Sequence, residues 1–197
     1  MKNIFFGLVM AAATLAACNN SNNTASENKD VNKDTVQAKP QAESPTAPET
    51  QGTSTIKEIV ATYLQLKNAF TKDKSSEAAT AGSALQTAFK NFDKTGLTAG
   101  QKETFGDIAG DAMEHAEHIG ANGGNIAHQR EHFVMLNKDM ADLIKTFGNG
   151  GQTLYKDFCP MANEGKGATW FSEVKEIKNP YQGSKMLTCG SLKETIK

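Results

Sequence analysis

The sequence predicts a mainly α protein, an up-down four-helix bundle that ends in a small irregular, β-hairpin segment. Three observations predict it. Four stretches between residues 53 and 147 repeat apolar residues at helical spacing. Glycine-bearing breaks at Thr95-Gly96, Gly120 to Gly124 and Gly148 separate the later stretches. After Leu154 the helical period fades into short aromatic runs around a glycine-rich turn.

The first helix reads from Thr53, with Ile56, Ile59, Val60, Tyr63, Leu64, Lys67 and Phe70 on one face and Thr53 or Thr55 as its cap. The second runs through Ala78, Ala81, Leu85, Ala88, Phe89 and Phe92. The third begins near Thr98 and aligns Phe105, Ile108, Ala109, Ala112, Met113, Ala116 and Ile119. The fourth carries Ile126, Phe133, Leu136, Met140, Leu143, Ile144 and Phe147. Helices of this length joined by short loops make antiparallel neighbours, and no internal repeat is visible. Leu154, Tyr155 and Phe158, then Thr169 to Phe171, read as two short strands around Asn163-Glu164-Gly165-Lys166-Gly167. Asn179-Pro180-Tyr181 forces a turn, and Trp170, Phe171 and Tyr181 are expected to cap one end of the bundle.

The chain has 197 residues and only 38% hydrophobic residues, so a sizeable segment is expected to bury nothing. Asn19 to Gly52 is that segment. It lacks aromatics, holds Pro40, Pro45 and Pro48, and cannot offset the entropy of ordering. It reads as a disordered tether with roughly 30 Å of coil reach. A formal net charge of −1 excludes the basic excess of a general nucleic-acid binder, so no nucleic-acid partner is expected.

The front end reads as an export signal. Met1, Lys2 and Asn3 precede the apolar run Ile4 to Ala13, too short to span a membrane. Leu15-Ala16-Ala17-Cys18 then looks like a bacterial lipoprotein signal. That resemblance implies cleavage before Cys18 and lipidation of that cysteine, with residues 1–17 removed, 18–52 as the tether and 53–197 as the folded domain. Several acyl chains hold a protein on a bilayer far better than one, at roughly 0.8 kcal/mol per buried CH₂. No dense acidic run follows Cys18, so the expected location is the periplasmic face of the outer membrane.

All four histidines fall in one window: His115 and His118 before the third turn, His128 and His132 after it. A helical hairpin brings them to one end of the bundle, the way bundles assemble metal sites. His128, His132, Met135 and Asp139 form a stripe beside the apolar face of the fourth helix. Imidazole suits copper, zinc, iron and nickel, and an added thioether favours copper(I). The alternative is four solvated, inert histidines on polar faces interleaved with Glu114, Glu117, Arg130 and Glu131.

The C-terminal segment places two thiols and two thioethers in paired motifs, Cys159-Pro160-Met161 and Met186-x-x-Cys189. Three readings stay open. Cys159 and Cys189 form a disulfide, worth roughly 3–4 kcal/mol for such a loop. The four sulfurs bind copper(I) or another soft metal ion. Or the thiols are free and buried, with the methionines as packing.

The segment also resembles a known family. Tyr155, Phe158, Cys159, Pro160, Met161 and Ala162, then Gly167, Ala168, Trp170 and Ser172, then Ile177, Pro180, Tyr181, Gly183, Met186, Cys189 and Gly190 are similar to the signature of uncharacterised bacterial envelope proteins. Members of that family are mostly small lipoproteins. Related domains are appended to periplasmic adaptor subunits of heavy-metal efflux pumps. Gln129-Arg130-Glu131-x-Phe133 also matches the pattern, while Asn137 and Phe171 depart from it. The resemblance covers roughly residues 55–197. It implies a helical domain with a copper connection and metal-efflux components as partners.

No enzyme is expected. The sequence lacks a Gly-x-Ser-x-Gly elbow, a phosphate-cradling loop and a His-Glu-x-x-His zinc helix; Glu114-His115-x-x-His118 has the wrong spacing.

Overall fold

The computed structural model describes residues 53–197. The expectations for the signal segment, Cys18 and the tether lie outside the described residues. Four helices follow in order, α1 (Thr53–Thr71), α2 (Ser75–Lys90), α3 (Ala99–Ala121) and α4 (Ile126–Phe147). Three strands complete the chain, β1 (Leu154–Cys159), β2 (Ala168–Ser172) and β3 (Ser191–Ile196), with a 3-10 turn at Gly183–Met186. The fold is thus mainly helical with a small C-terminal sheet, as the apolar spacing predicts.

Local chemistry sets the helix boundaries. Thr98 caps α3 in a reciprocal box: its hydroxyl accepts from Gln101 N–H (3.3 Å), and Gln101 Oε1 accepts from Thr98 N–H (3.0 Å). Asn125 caps α4 by accepting from His128 N–H. Each helix packs on the next in sequence. The α2–α3 approach is close because Gly82 carries no side chain. A Cβ there would lie 2.9 Å from Ala116 O and 2.9 Å from Ile119 Cγ2.

Every apolar position read on the α1 face is buried, and so is Lys67 among them. Its ammonium lies 2.8 Å from Glu173 Oε2 and donates to Asn68 Oδ1 (2.7 Å). Burial lowers the Lys67 pKa, opposed by the Glu173 carboxylate. A buried charge is tolerable because it is paired. Phe92, just after α2, forms a second aromatic group with Phe105 of α3 and Phe147 of α4, stacked on Phe105 at 4.0 Å.

The sheet is antiparallel with order β2-β1-β3. The β1–β2 hairpin matches the sequence reading. The third strand does not, because Ser191–Ile196 is a mostly exposed edge strand with no apolar alternation to reveal it. The aromatic placement also needs correcting. Trp170, Phe171 and Tyr181 do not cap an end of the bundle. Phe171 and Tyr181 lie against α1 and α4, where Phe171 meets Tyr63 (6.3 Å between rings) and Tyr181 meets Phe133 (5.6 Å), and Trp170 packs edge-on against Tyr181 (6.0 Å). Buried polar bonds register this contact. Tyr63 OH donates to Asn137 Oδ1 and accepts from Phe171 N–H (3.0 Å), and Asn137 Nδ2 donates to Tyr181 OH (3.0 Å). β2 therefore seals the long seam between α1 and α4.

Candidate metal centre

The α3–α4 hairpin is fixed before any side chain is considered. Asn122 Nδ2 donates to His118 O (2.8 Å), and Gly124 N–H donates to Ser75 Oγ (2.8 Å). Gln129, fully buried, donates to Ile119 O (2.9 Å) and Ser75 O (3.1 Å) and accepts from Ser75 Oγ (2.7 Å). The backbone under His118 and the backbone under His128 are thereby tied to the same α2 terminus.

The hairpin brings all four histidines together. His132 is the central ring. His118 stacks on it at 4.3 Å and 4°, His128 meets it edge-on at 4.7 Å, and His115 lies 5.7 Å away. One ring nitrogen each from His118, His128 and His132 lie within 4.8 Å of one another. A tetrahedral ion at about 2.0–2.1 Å from each nitrogen needs them about 3.4 Å apart. Of the three rings, His118 is the exposed one.

His115 stands behind this triad. Its Nδ1 lies 3.5 Å from His132 Nδ1, and its Nε2 lies 3.9 Å from Asp139 Oδ2. Asp139 Oδ2 is buried without a hydrogen-bond partner. Burial, with Asp111 and Asp142 nearby, pushes the Asp139 carboxyl up to about 7. Burial lowers the pKa of His115 and of His132, and the other imidazoles add to the effect at His132. His128 Nδ1 is 3.1 Å from Glu131 Oε2. Carboxylates that orient ligating imidazoles raise their basicity and fix their tautomers. Glu131 holds that position beside His128, whereas Asp139, which the sequence already placed on the histidine stripe, faces His115 outside the triad and beyond hydrogen-bond reach. The signal for Asp139 was its place seven residues after His132, on the same face.

The sulfur residues divide. Cys159 is buried at the end of β1, Cys189 is half-buried before β3, and both are free thiols with Sγ atoms 3.6 Å apart. Their mutual hydrogen bond, with burial, pushes the Cys189 thiol up. Met161 Sδ is 3.8 Å from Cys189 Sγ. Met186 contributes through its backbone, its carbonyl accepting from Cys189 N–H (3.0 Å). Met135 lines a groove of about 530 Å³ together with Met161 and Tyr181, and none of the histidines lines it.

The Gln129-Arg130-Glu131-x-Phe133 motif has a structural account. Gln129 pins the hairpin. Arg130 donates to Pro180 O (2.8 Å), Phe70 O (2.9 Å) and Asp73 Oδ1 (2.6 Å), joining α4 to the end of α1 and to the C-terminal segment. Phe133 stacks on Tyr63 at 5.7 Å.

Residues 59–152 match a protein family. It is described as a protein of unknown function (DUF3347). The matched span takes in most of α1 and all of α2, α3 and α4, so it contains the four histidines and stops short of the cysteines. No curated protein and no solved structure matches the chain.

Proposed function

We propose that this chain is a non-enzymatic, lipid-anchored, periplasm-facing envelope protein that binds or buffers copper-type metal ions and passes them to an efflux or resistance system. The observation that carries the metal reading is the His118, His128 and His132 triad, backed by His115 and Asp139. Imidazole nitrogens bind first-row ions in the order that peaks at Cu²⁺, and a helical hairpin anchored by Gln129 pre-pays part of the ordering cost. The anchor and location rest on the Leu15-Ala16-Ala17-Cys18 pattern, and the efflux connection on the family resemblance of the C-terminal motif.

Titrating the purified protein with Cu²⁺ and Zn²⁺ against a chromophoric chelator tests the site. One tight equivalent is expected, weakened at least tenfold by His128→Ala or His132→Ala and less by His115→Ala. Equal affinity in all the variants would remove the imidazoles from the function.

A second reading is a metal-free interaction module held by a Cys159–Cys189 disulfide, favoured by the 3.6 Å approach of the two thiols. Titration of free thiols in protein isolated without reductant separates the two. No free thiol together with no metal affinity would favour the module.

A further inference from the structure

Three sulfur atoms converge in the C-terminal segment, on elements separate from the imidazole hairpin. Cys159 Sγ and Cys189 Sγ are 3.6 Å apart, and Met161 Sδ is 3.8 Å from Cys189 Sγ. A metal held about 2.3 Å from each sulfur, in trigonal or tetrahedral geometry, sets its ligand sulfurs roughly 3.8–4.0 Å apart. The observed spacings are within a few tenths of an ångström of that. We propose that Cys159, Cys189 and Met161 form an all-sulfur site for a soft monovalent ion, Cu(I) or Ag(I), distinct from the imidazole site.

The surrounding structure holds the sulfurs in place. Cys159 ends β1, paired with Ala168 of β2. Asn179, fully buried, donates from Nδ2 to Cys189 O (2.6 Å), while its Oδ1 accepts from the N–H groups of Tyr181 (2.8 Å) and Gln182 (3.1 Å). Gly190 has a φ of 144°, and a Cβ there would lie 2.9 Å from Phe158 O and 2.9 Å from the Trp170 ring. Only glycine lets the chain pass that close, and the pass sets Cys189 beside Cys159. Two ligands are thus pre-positioned by backbone, which lowers the ordering cost of binding.

Met161 supplies the third ligand. It is 53% exposed, more than any other large hydrophobic residue among those described, so packing does not explain its position. It also lines the groove on α4 beside Met135. Thiolate and thioether together select Cu(I), whereas the imidazoles suit the harder divalent ions. Binding is a ligand exchange without electron transfer. Each cysteine thiol gives up its proton to solvent, two thiolate–metal bonds replace bonds to the ligands that brought the ion, which are released, and the Met161 thioether completes the set, leaving a net charge of −1 at the site.

The proposal stands apart from the imidazole reading, and the test keeps them separate. Full-length chain carrying Cys18→Ser, reduced and handled without oxygen, is titrated with Cu(I) against a chromophoric Cu(I) chelator. One equivalent is expected to bind, with thiolate-to-copper charge-transfer absorption in the near ultraviolet and both thiols protected from alkylation. Cys189→Ala, at the half-exposed position, is expected to abolish the absorption, and Met161→Leu to weaken Cu(I) at least tenfold with no change in the thiol count or in the denaturation midpoint. Replacing His115, His118, His128 and His132 together is expected to leave Cu(I) binding unchanged. Failure of the reduced chain to compete with the chelator, an unaltered affinity in Met161→Leu, or loss of Cu(I) with the histidines would each overturn the site.

Discussion

Tyr63 carries more of this fold than its ring area suggests. Its hydroxyl satisfies Asn137 Oδ1 and the Phe171 N–H at once, in a fully buried position where burial keeps the phenol protonated. Tyr63→Phe keeps the stacking on Phe133 but strands an amide oxygen and a backbone N–H without water. Leaving such groups unsatisfied costs about 1–3 kcal/mol each, so a loss of about 2–3 kcal/mol is expected in urea denaturation. An unchanged midpoint would mean that solvent reaches the seam. Asn137 sits in the same network, bonding Phe133 O, Tyr63 and Tyr181, so Asn137→Ala should cost a similar amount, and the double variant less than the sum.

At the scale of elements, the turn between α1 and α2 is clamped to the C-terminal segment through one carboxylate. Asp73 accepts from Ser184 Oγ, from Ser184 N–H (2.9 Å) and from Arg130, and these bonds, Ser184 first, pull its pKa down to about 2. A carboxyl whose pKa is lower folded than unfolded adds stability above its unfolded value, and that stability is lost as pH falls through its folded value. The loss is therefore expected between about pH 4 and pH 2, and Asp73→Asn should flatten that part of the stability profile. Because the side chain is 36% exposed, solvent screening holds the effect to about 1 kcal/mol or less. This clamp was not legible in the sequence, since Asp73 and Ser184 are joined only by tertiary contact. The four helices were legible, because a helix buries its apolar stripe at a local period of 3.6. So was the meeting of the histidines, which needs only a hairpin. The edge strand β3 was hidden by its polar, exposed sequence, and the sheet's place on the α1–α4 seam by the distance in sequence between Tyr63 and Phe171. Of the sulfur set, the sequence paired Met161 with Cys159, and the fold brings its sulfur to 3.8 Å from Cys189 Sγ. Met186 has equal sequence credentials but serves through its carbonyl, a distinction that composition does not carry.

The whole molecule we propose joins a lipid-anchored N-terminus to a domain with two candidate metal sites of different softness. The anchor has its own test. Cys18→Ala is expected to prevent lipidation and leave an uncleaved or secreted product, because it removes the cysteine of the Leu15-Ala16-Ala17-Cys18 pattern. Recovery of that variant as mature protein in the membrane fraction would place the anchor elsewhere. Both candidate sites depend on long-range closure. The imidazoles need α2 to hold the hairpin through Ser75 and Gln129, and the sulfurs need Asn179 and Gly190 to fold the last segment onto β1.

The strand that seals the α1–α4 seam has a consequence for the order in which the protein acquires its shape. The chain emerges N-terminus first, from the ribosome or across a membrane, so the residues of α1 to α4 emerge before residues 168–172. Until those residues arrive, Tyr63, Phe133 and Asn137 have no lid, and the helices face one another across an unfinished wall. Domains usually fold as units once their last essential contact is available. Here that contact is among the last to emerge, so the helices must stay soluble, or be held by a chaperone, until their keystone arrives. A fragment ending at residue 152 is a frozen copy of that interval. It is expected to be helical by circular dichroism yet to melt without a sharp transition, and cooperative melting of the fragment would show that the wall stands alone.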